Sequence, residues 1–295
     1  MAELTVATAQ LELRAETSLD TYVEHVDALV ERAAAEGAEL VVFPEMSSTG
    51  LLGSITDHTV TTQSIVSDYW DVLPRYIDDI VDSTIASAHN HGITVLGGSH
   101  NRRADDGTLR NTAYLVHPDG RVEQQDKMHL TPQEHSLGTR GGDQLLITQI
   151  GPFTAGLLIC ADIQFPELSR YLVRNGVDLI LCPSLTWNRR GVHRVRTGCQ
   201  ARAIENQLYV VMSPLVGHSG LPADAPMHAV GRALVSTPVD RTMGINDGIL
   251  ALGAETGEDL VITALDHDLL MASRDEPEAP GLKLQRPDLY AGLMP

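Results

Sequence analysis

The chain has 295 residues and carries 21 Lys and Arg against 39 Asp and Glu, which gives a formal net charge of −18. A field of that sign repels phosphate backbones and anionic lipid surfaces, so binding to nucleic acid or membranes is disfavoured. With 43% hydrophobic residues and three cysteines, we expect a well-packed core and no disulfide framework. No secretory signal or membrane-spanning run is visible, and we therefore predict a cytoplasmic protein with reduced thiols.

Predicted strands and helices alternate along the whole chain, which is typical of an α/β protein. The short, continuously apolar run at 39–43 indicates a strand covered on both faces. Strands are predicted at 4–13, 39–43, 93–98, 177–182, 208–216, 229–238 and 260–265, hairpins at 111–125 and 145–159, and helices at 19–36, 67–91, 165–175 and 192–207. No linker separates two halves, so residues 1–270 are predicted to form one domain. Residues 271–295 are predicted to be a tail that could wrap a neighbouring subunit.

One short internal repeat links two of these strands. The run Ala-Glu-Leu-Val-Val-Phe-Pro at 38–44 resembles Val-Asp-Leu-Ile-Leu-Cys-Pro at 177–183, and each follows a predicted helix and a glycine. The repeat suggests two similar α/β layers whose strands end near the same edge. Reactive groups collect at such strand ends in α/β sheets.

Three segments place a reactive side chain directly after an apolar strand or hairpin. Glu45 follows the 39–43 strand, Lys127 follows the first hairpin, and Cys160 follows the second. Cys160 lies at a predicted strand-to-helix turn, where free backbone N–H groups favour thiolate over thiol. Taken singly, Cys160 could be a small buried hydrophobe, Glu45 a loop carboxylate and Lys127 an exposed charge. Glu134, three residues after Thr131, could simply be the acid of a helix capping box.

Other kinds of catalytic site lack their sequence patterns. There is no His-Glu-x-x-His motif, no Cys-x-x-Cys pair and no Cys/His cluster at zinc-finger spacing, so no metal site and no cofactor are predicted. The nucleophile elbow of serine hydrolases, the P-loop and the dinucleotide fingerprint are also missing, which leaves those functions without support.

The order Glu, Lys, Cys, with the residues around each, resembles the nitrilase superfamily of carbon–nitrogen hydrolases. The three signatures are Phe43-Pro44-Glu45, then Asp126-Lys127-Met128-His129-Leu130, then Ile159-Cys160-Ala161-Asp162 followed by Phe165-Pro166-Glu167. The resemblance covers roughly residues 4–265. The extensions at 131–134 and 141–143 look most like the nitrilase-like domains that are fused to acetyltransferases. The resemblance implies a four-layer α-β-β-α sandwich that assembles as a homodimer or larger.

The resemblance also implies a role for each matching residue. Glu45 would be the general base, Lys127 the positive member of the catalytic triad and Cys160 the nucleophile. Glu134 matches a second glutamate of the family, and we expect it to position Lys127, because two carboxylates repel each other unless a cation lies between them.

Four further residues are candidates for binding the oxyanion or the substrate. Ala161 stands where the family commonly has an aromatic residue; its backbone N–H could still donate to an oxyanion, and the missing ring would reshape the pocket. His129 could polarise the site or be a structural histidine, and Trp187 could line the pocket or pack elsewhere. Asp162 could also face the pocket.

The function favoured by these residues is hydrolysis of a linear carboxamide, through a cysteine thioester, to a carboxylate plus ammonia or an amine. A nitrilase, an N-carbamoyl amidohydrolase and a catalytically silent scaffold of the same fold are the alternatives. The pair Ala161-Asp162 resembles amidase-type members more than nitrilases. We expect a small amide as substrate, with specificity determined by loops 47–62, 138–142 and 187–192.

Overall fold

The fold is seen in a computed structural model that describes residues 2–290, where the chain forms twelve strands and eight α-helices. The strands are β1 (Glu3–Leu13), β2 (Leu40–Val42), β3 (Thr94–Arg103), β4 (Leu109–Val116), β5 (Val122–Asp126), β6 (Ile147–Ile150), β7 (Phe153–Leu157), β8 (Leu179–Ser184), β9 (Tyr209–Gly217), β10 (Leu234–Ser236), β11 (Ile249–Leu252) and β12 (Asp259–Asp266). The helices are α1 (Leu19–Ala35), α2 (Ile65–Asp71), α3 (Ile77–His91), α4 (Pro132–Ser136), α5 (Pro166–Arg174), α6 (Arg189–Asn206), α7 (His267–Asp275) and α8 (Pro287–Tyr290).

The strands form two six-stranded sheets that join at one corner. The first sheet has the order β12-β1-β2-β3-β4-β5, and the second has the order β6-β7-β8-β9-β10-β11. In each sheet the three parallel strands lie in the middle, as β1-β2-β3 and β7-β8-β9. The C-terminal ends of β1 and β9 pair with each other, with Leu11 opposite Leu215.

The two sheets pack face to face, and helices cover their outer faces. Side chains alternate along β2: Leu40 and Val42 pack against the second sheet, while Val41 packs against α1. This alternation follows from the two-residue period of a strand, and it explains why β2 is apolar at every position. Helices α1 and α3 cover the first sheet, and α5 and α6 cover the second. The predicted four-layer α-β-β-α sandwich is therefore confirmed.

Two predicted elements differ from the structure. The helix predicted at 67–91 is divided into α2 and α3 by a 3-10 turn at Leu73–Tyr76. Pro74 lies in that turn; it has no backbone N–H, and its ring clashes with the preceding turn of a helix, so one helix cannot run through it. The strand predicted at 229–238 is only β10, which pairs with β11, a strand that was not predicted.

The C-terminal part of the described chain packs against the body of the molecule. Leu270 and Ser273 of α7 are buried, and the Arg274 Nε donates to the Gln207 carbonyl at 2.7 Å. The predicted boundary at residue 270 falls within α7, and the division into a domain and a tail stays a prediction. Residues 291–295 of the predicted tail lie outside the described residues. Within residues 2–290, no helix is both long and apolar enough to cross a membrane.

Candidate active site

Three charged side chains meet in the interior, two from segments that follow strands of the first sheet and one from a short helix. Glu45 follows β2, Lys127 follows β5, and Glu134 lies in α4. The Lys127 Nζ is 2.7 Å from the Glu45 Oε1 and 2.7 Å from the Glu134 Oε2. Lys127 is only 1% exposed, Glu45 3% and Glu134 6%. The structure therefore places one buried ammonium between two buried carboxylates, which lowers the cost of burying either acid.

Asn111 completes this cluster, and sequence reasoning did not find it. Its Nδ2 donates to the Glu45 Oε1 at 2.9 Å and to the Glu134 Oε1 at 2.8 Å, so it fixes the two carboxylates relative to each other. Asn111 is fully buried in β4. Asparagine is depleted in strands, and an Asn inside an apolar strand next to the Lys127 hairpin was the available signal.

Both sequence interpretations of Glu134 apply. Its Oε2 accepts from the Thr131 backbone N–H at 2.8 Å and from the Thr131 hydroxyl at 2.9 Å, while its own N–H donates to that hydroxyl oxygen. This is the capping box of α4. The same oxygen accepts from Lys127. The helix cap therefore holds the carboxylate that positions the lysine.

Cys160 lies beside this cluster in a strained backbone conformation. Its φ angle is 47°, in the left-handed region that side chains other than glycine rarely adopt. The thiol donates to the Leu185 carbonyl at 3.4 Å, and the Leu185 N–H donates to the Glu45 Oε2 at 2.9 Å. Leu185 therefore ties the thiol and the Glu45 carboxylate to one point. Such strain, held by its surroundings, is often found at functional residues.

The two carboxylates have opposite pKa shifts. Burial raises the pKa of Glu45, and the nearby Glu134 adds to this, which outweighs the opposing effect of Lys127. Burial would also raise the pKa of Glu134, but the charge of Lys127 and the hydrogen bonds from Asn111, Lys127 and Thr131 lower it below its usual value. A pair of acids with separated pKa values can divide two tasks. Glu45 suits proton transfer, and Glu134 suits a permanent negative charge.

The lysine and the thiol keep their protons at rest. Burial alone would lower the pKa of Lys127, but the charges of Glu45 and Glu134 outweigh it and raise the pKa above its usual value. Burial and the Glu45 charge raise the pKa of Cys160 well above its ordinary value. The expectation that the turn at Cys160 favours thiolate is therefore wrong. Only a short 3-10 turn, Cys160–Gln164, follows the strand, and it does not offset the loss of water and the adjacent carboxylate.

Asp162 and His129 lie beside the cluster. Asp162 is fully buried, and its carboxylate accepts from the backbone N–H groups of Met128, His129 and Ile159. It therefore joins the segment that carries Lys127 to the segment that carries Cys160. The His129 ring stacks on Phe165 at 3.6 Å between centroids. Neither Asp162 nor His129 lines the cavity above the charged cluster, and a contact with substrate stays a prediction for both.

A cavity of about 220 Å³ opens above the buried charges. Its floor contains Glu45, Lys127 and Glu134. Its walls are mostly apolar, and the side chains that form them include Ile65, Val66, Tyr69, Leu137, Trp187 and Met227. Trp187 is the one contribution from the three loops predicted to determine specificity. No residue of 47–62 or 138–142 lines the cavity, where α2 and α4 contribute side chains instead, and a role of those two loops in specificity stays a prediction.

Ala161 follows the thiol directly. It lies in the 3-10 turn Cys160–Gln164, and its role as a donor to an oxyanion stays a prediction. Cys182 and Cys199 are also free and buried, but in the core. In residues 2–290, no three His, Cys, Asp or Glu side chains are grouped so as to hold a metal ion.

The sequence of this chain is similar to those of known proteins. The sequence model of the carbon-nitrogen hydrolase family matches residues 5–275. The probable hydrolase YhcX of Bacillus subtilis is 30% identical over 289 residues, which is 97% of this chain and 54% of that protein, so the chain spans about half of that relative's length. A nitrilase of Pyrococcus abyssi is 24% identical over 258 residues, 86% of this chain and 87% of that protein.

A solved structure shows the same fold. It is a double mutant of the amidase from Nesterenkonia sp. AN1 in complex with acrylamide, with a TM-score of 0.76 and 19% sequence identity. The match covers 100% of this chain and 98% of that one.

Proposed function

The chain belongs to the carbon-nitrogen hydrolase family, within the nitrilase superfamily, and from that premise we propose that it hydrolyses a linear carboxamide to a carboxylate and ammonia or an amine. One observation carries the proposal. Lys127 lies 2.7 Å from two buried carboxylates, and Leu185 ties one of them, Glu45, to the Cys160 thiol. A thiol, a carboxylate and a fixed positive charge are therefore held together by one set of contacts, and the cavity above them is lined by Glu45, Lys127 and Leu185.

In the first half of the reaction, Glu45 accepts the thiol proton as the Cys160 sulfur attacks the amide carbon. Because the resting thiol is protonated, the reaction needs this base. The carbonyl oxygen becomes an oxyanion, which the Lys127 ammonium and the Ala161 N–H stabilise. Removing one such donor typically costs about 3–4 kcal/mol. Glu45 then gives the proton to the departing nitrogen, the C–N bond breaks, and a thioester remains.

In the second half, Glu45 accepts a proton from water, whose oxygen attacks the thioester carbon. The C–S bond breaks, and the proton returns to the sulfur, so the acid product leaves and the enzyme is regenerated. Proton transfer by a positioned group typically contributes about 10²–10⁴-fold. A carboxyl that both accepts and donates works best with a pKa near the working pH, which the raised pKa of Glu45 supports.

Glu134 and Asn111 are proposed as positioning residues. Glu134 stays ionised and holds the Lys127 ammonium, while Asn111 spaces the two carboxylates. With the lysine between them, one acid can change its protonation state while the other keeps its charge. The proposed roles of Glu45, Lys127 and Cys160 are supported by the same contacts.

A nitrilase is the second candidate, and the similarity to the Pyrococcus abyssi nitrilase favours it. The same thiol could attack a nitrile carbon. The amide is preferred because Ala161-Asp162 resembles the amidase-type members of the family. An N-carbamoyl amidohydrolase and a silent scaffold complete the alternatives. The proposed closeness to nitrilase-like domains fused to acetyltransferases fits a relative about twice as long as this chain.

Self-association through the face formed by α5 and α6 is part of the proposal. Phe165, Tyr171 and Ile204 are exposed apolar side chains on this side of the molecule. Apolar groups left on a surface in this way commonly mark a protein interface. A cytoplasmic location stays a prediction.

Ammonia release from a panel of amides, nitriles and carbamoyl compounds tests the proposal. The wild type should release ammonia from amides, and Cys160→Ala should lose at least about 10⁴-fold of that activity while it stays folded, because the covalent nucleophile is gone. Cys199→Ala, a buried thiol of α6, is the matched control and should keep its activity. Substantial hydrolysis by Cys160→Ala would refute the assignment, and a wild type that releases nothing from any compound would favour the scaffold.

A further inference from the structure

Most of the side chains that line the cavity above the charged cluster are apolar, and its polar side chains outside that cluster are uncharged. Helix α2 contributes Ile65, Val66 and Tyr69 to one wall, and Trp187 and Met227 lie among the other lining residues. Val66 is 44% exposed, although it is a large apolar side chain. Together with the other apolar residues of the same wall, Val66 gives the cavity an apolar edge, which is typical of sites that bind apolar groups.

An anionic substrate finds no unpaired cation among the described residues that line this cavity. Among its lining residues within the described chain, Lys127 is the one cationic side chain, and both of its neighbours are carboxylates that it already binds. The Thr131 hydroxyl is likewise bonded to Glu134. The other polar groups on the lining side chains are uncharged: the exposed Gln133 and Ser136 side chains, the Tyr69 hydroxyl and the Trp187 ring N–H.

A substrate carboxylate would meet two further obstacles. It would lose water in the cavity without a cationic partner, which is costly for an ionised group. It would also approach Glu134, which keeps its negative charge. The net charge of −18 adds a field of the same sign around the whole protein, which repels anions before they bind.

We propose, resting on the proposed amide hydrolysis, that the substrates are primary amides of short, uncharged, apolar acyl groups, and that amides carrying a carboxylate are rejected. Val66, Trp187 and Met227 are the specificity-determining residues. The cavity, at about 220 Å³, is smaller than the roughly 300–1,000 Å³ that drug-sized molecules occupy, so the acyl group is short. Ammonia is the smallest leaving group, and a primary amide therefore leaves the whole cavity to the acyl chain.

A pair of substrates of nearly equal shape tests this inference. Isocaproamide and succinamate share the same carbon chain up to the last branch, where two methyl groups of the first replace the two carboxylate oxygens of the second. With the wild-type protein at physiological salt, kcat/KM for isocaproamide should exceed that for succinamate by at least about 100-fold, because the carboxylate is buried without a partner.

One added cationic side chain should lower the ratio of kcat/KM for isocaproamide to kcat/KM for succinamate. Val66→Arg places a guanidinium at the edge of the cavity, and we expect the ratio to fall by at least about tenfold, mainly through faster hydrolysis of succinamate. Ser67→Arg is the matched control. Ser67 is the next residue of α2, is exposed and does not line the cavity, so the variant changes the net charge equally but should leave the ratio within about twofold.

The outcomes separate this inference from the function on which it rests. If the wild type hydrolyses succinamate as well as isocaproamide, amide hydrolysis stands and the inference is overturned. The inference is also overturned if Ser67→Arg narrows the ratio as much as Val66→Arg, since the effect then comes from net charge. If neither amide nor any shorter or longer homologue is hydrolysed but another amide of the panel is, the inference is overturned and amide hydrolysis stands; if no amide of the panel is hydrolysed, the proposed function fails and the inference with it.

Discussion

The first and second sheets each contain a short parallel strand that begins after an acidic residue. Glu39 precedes β2, and Asp178 precedes β8. The Glu39 N–H donates to Thr5 of β1 at 2.8 Å, and its carbonyl accepts from Thr94 of β3 at 3.0 Å. Asp178 makes the same pair of contacts with the strands on either side of β8, both at 3.0 Å. The backbone therefore repeats from one sheet to the other.

The two strands differ in the residues that come after them. β2 ends at Val42, and the chain turns inward so that Glu45 reaches Lys127. β8 continues through its proline to Ser184, and the next residue, Leu185, contributes its backbone and an apolar side chain to the same cavity. The segment after β2 supplies a charged side chain, and the residue after β8 supplies part of the cavity wall and backbone groups that form hydrogen bonds. The comparison shows that a repeated backbone sets where a site lies, while the residues just past each strand set its chemistry.

The largest expected difference between the two strand ends is in activity, when the polar side chain after β2 and the one at the end of β8 are each substituted. Glu45→Gln keeps the shape but cannot accept the thiol proton, and we expect kcat to fall by about 10²–10⁴-fold. Ser184→Ala, at the corresponding end of β8, removes a hydroxyl that bonds the Ser213 carbonyl at 3.3 Å, away from the charged cluster, and should keep kcat within several-fold. Steady-state ammonia release measures both variants. Equal losses would show that both strand ends carry chemistry.

The pH dependence of kcat/KM should show which carboxylate transfers protons. The ionised form of Glu45 is the active base, so the rate should rise with pH and level off, with a midpoint above the ordinary 4.5 because burial raises this pKa. The charge of Glu134 adds to that increase. Glu134→Gln should therefore move the midpoint to lower pH.

Glu167→Gln is the control for this measurement, because Glu167 is an exposed acid at the start of α5. It should leave the midpoint of the pH profile unchanged. A midpoint that stays fixed in Glu134→Gln, or that moves upward, would contradict the assignment of the proton transfer to Glu45.

The smallest expected effect is on the free energy of unfolding, and it concerns the acidic residues that precede β2 and β8. Asp178 is buried; its Oδ1 accepts from the half-buried Thr154 N–H at 2.9 Å, and its Oδ2 accepts from His267 at 3.1 Å. The Glu39 Oε2 accepts from the Thr5 N–H at 3.1 Å, but Glu39 is exposed. Asp178→Ala should lower the free energy of unfolding by about 1–3 kcal/mol, and Glu39→Ala by less than about 1 kcal/mol, because water can replace an exposed partner. Urea unfolding of the two variants tests the difference.

The fold could be predicted from the sequence because its main signals are local. The apolar run of β2 is buried on both faces, and the boundaries of α1 follow from a capping serine and a glycine after the helix. Pro74 is an equally local signal for a break, although the predicted helix ran through it. β11 has no side chain that is fully buried and no clear alternation, so its position depends on pairing with β10 rather than on its own pattern.

The residues of the candidate site could be predicted from the sequence only where they belong to a recognisable motif. Glu45, Lys127 and Cys160 follow strands in recognisable sequence contexts, whereas Asn111 acts through contacts that form only when β4 lies beside the Lys127 hairpin. The wall contributed by α2 depends on how that helix packs over the strand ends, which no local pattern describes. The raised pKa of Cys160 also depends on burial and on an acid far away in the chain.

Leu185 links the cavity to the proposed catalytic groups, so the fit of a substrate would affect how those groups are aligned. Its N–H bonds the Glu45 carboxylate and its carbonyl bonds the Cys160 thiol, the proposed proton acceptor and nucleophile, and Leu185 also lines the cavity that we propose receives the acyl group. An acyl group that presses this residue aside therefore misaligns sulfur and carboxylate at the same time. If the proposed roles hold, we expect a poorly fitting amide to lose rate both when it binds and when it reacts, so that small differences in shape become large differences in turnover.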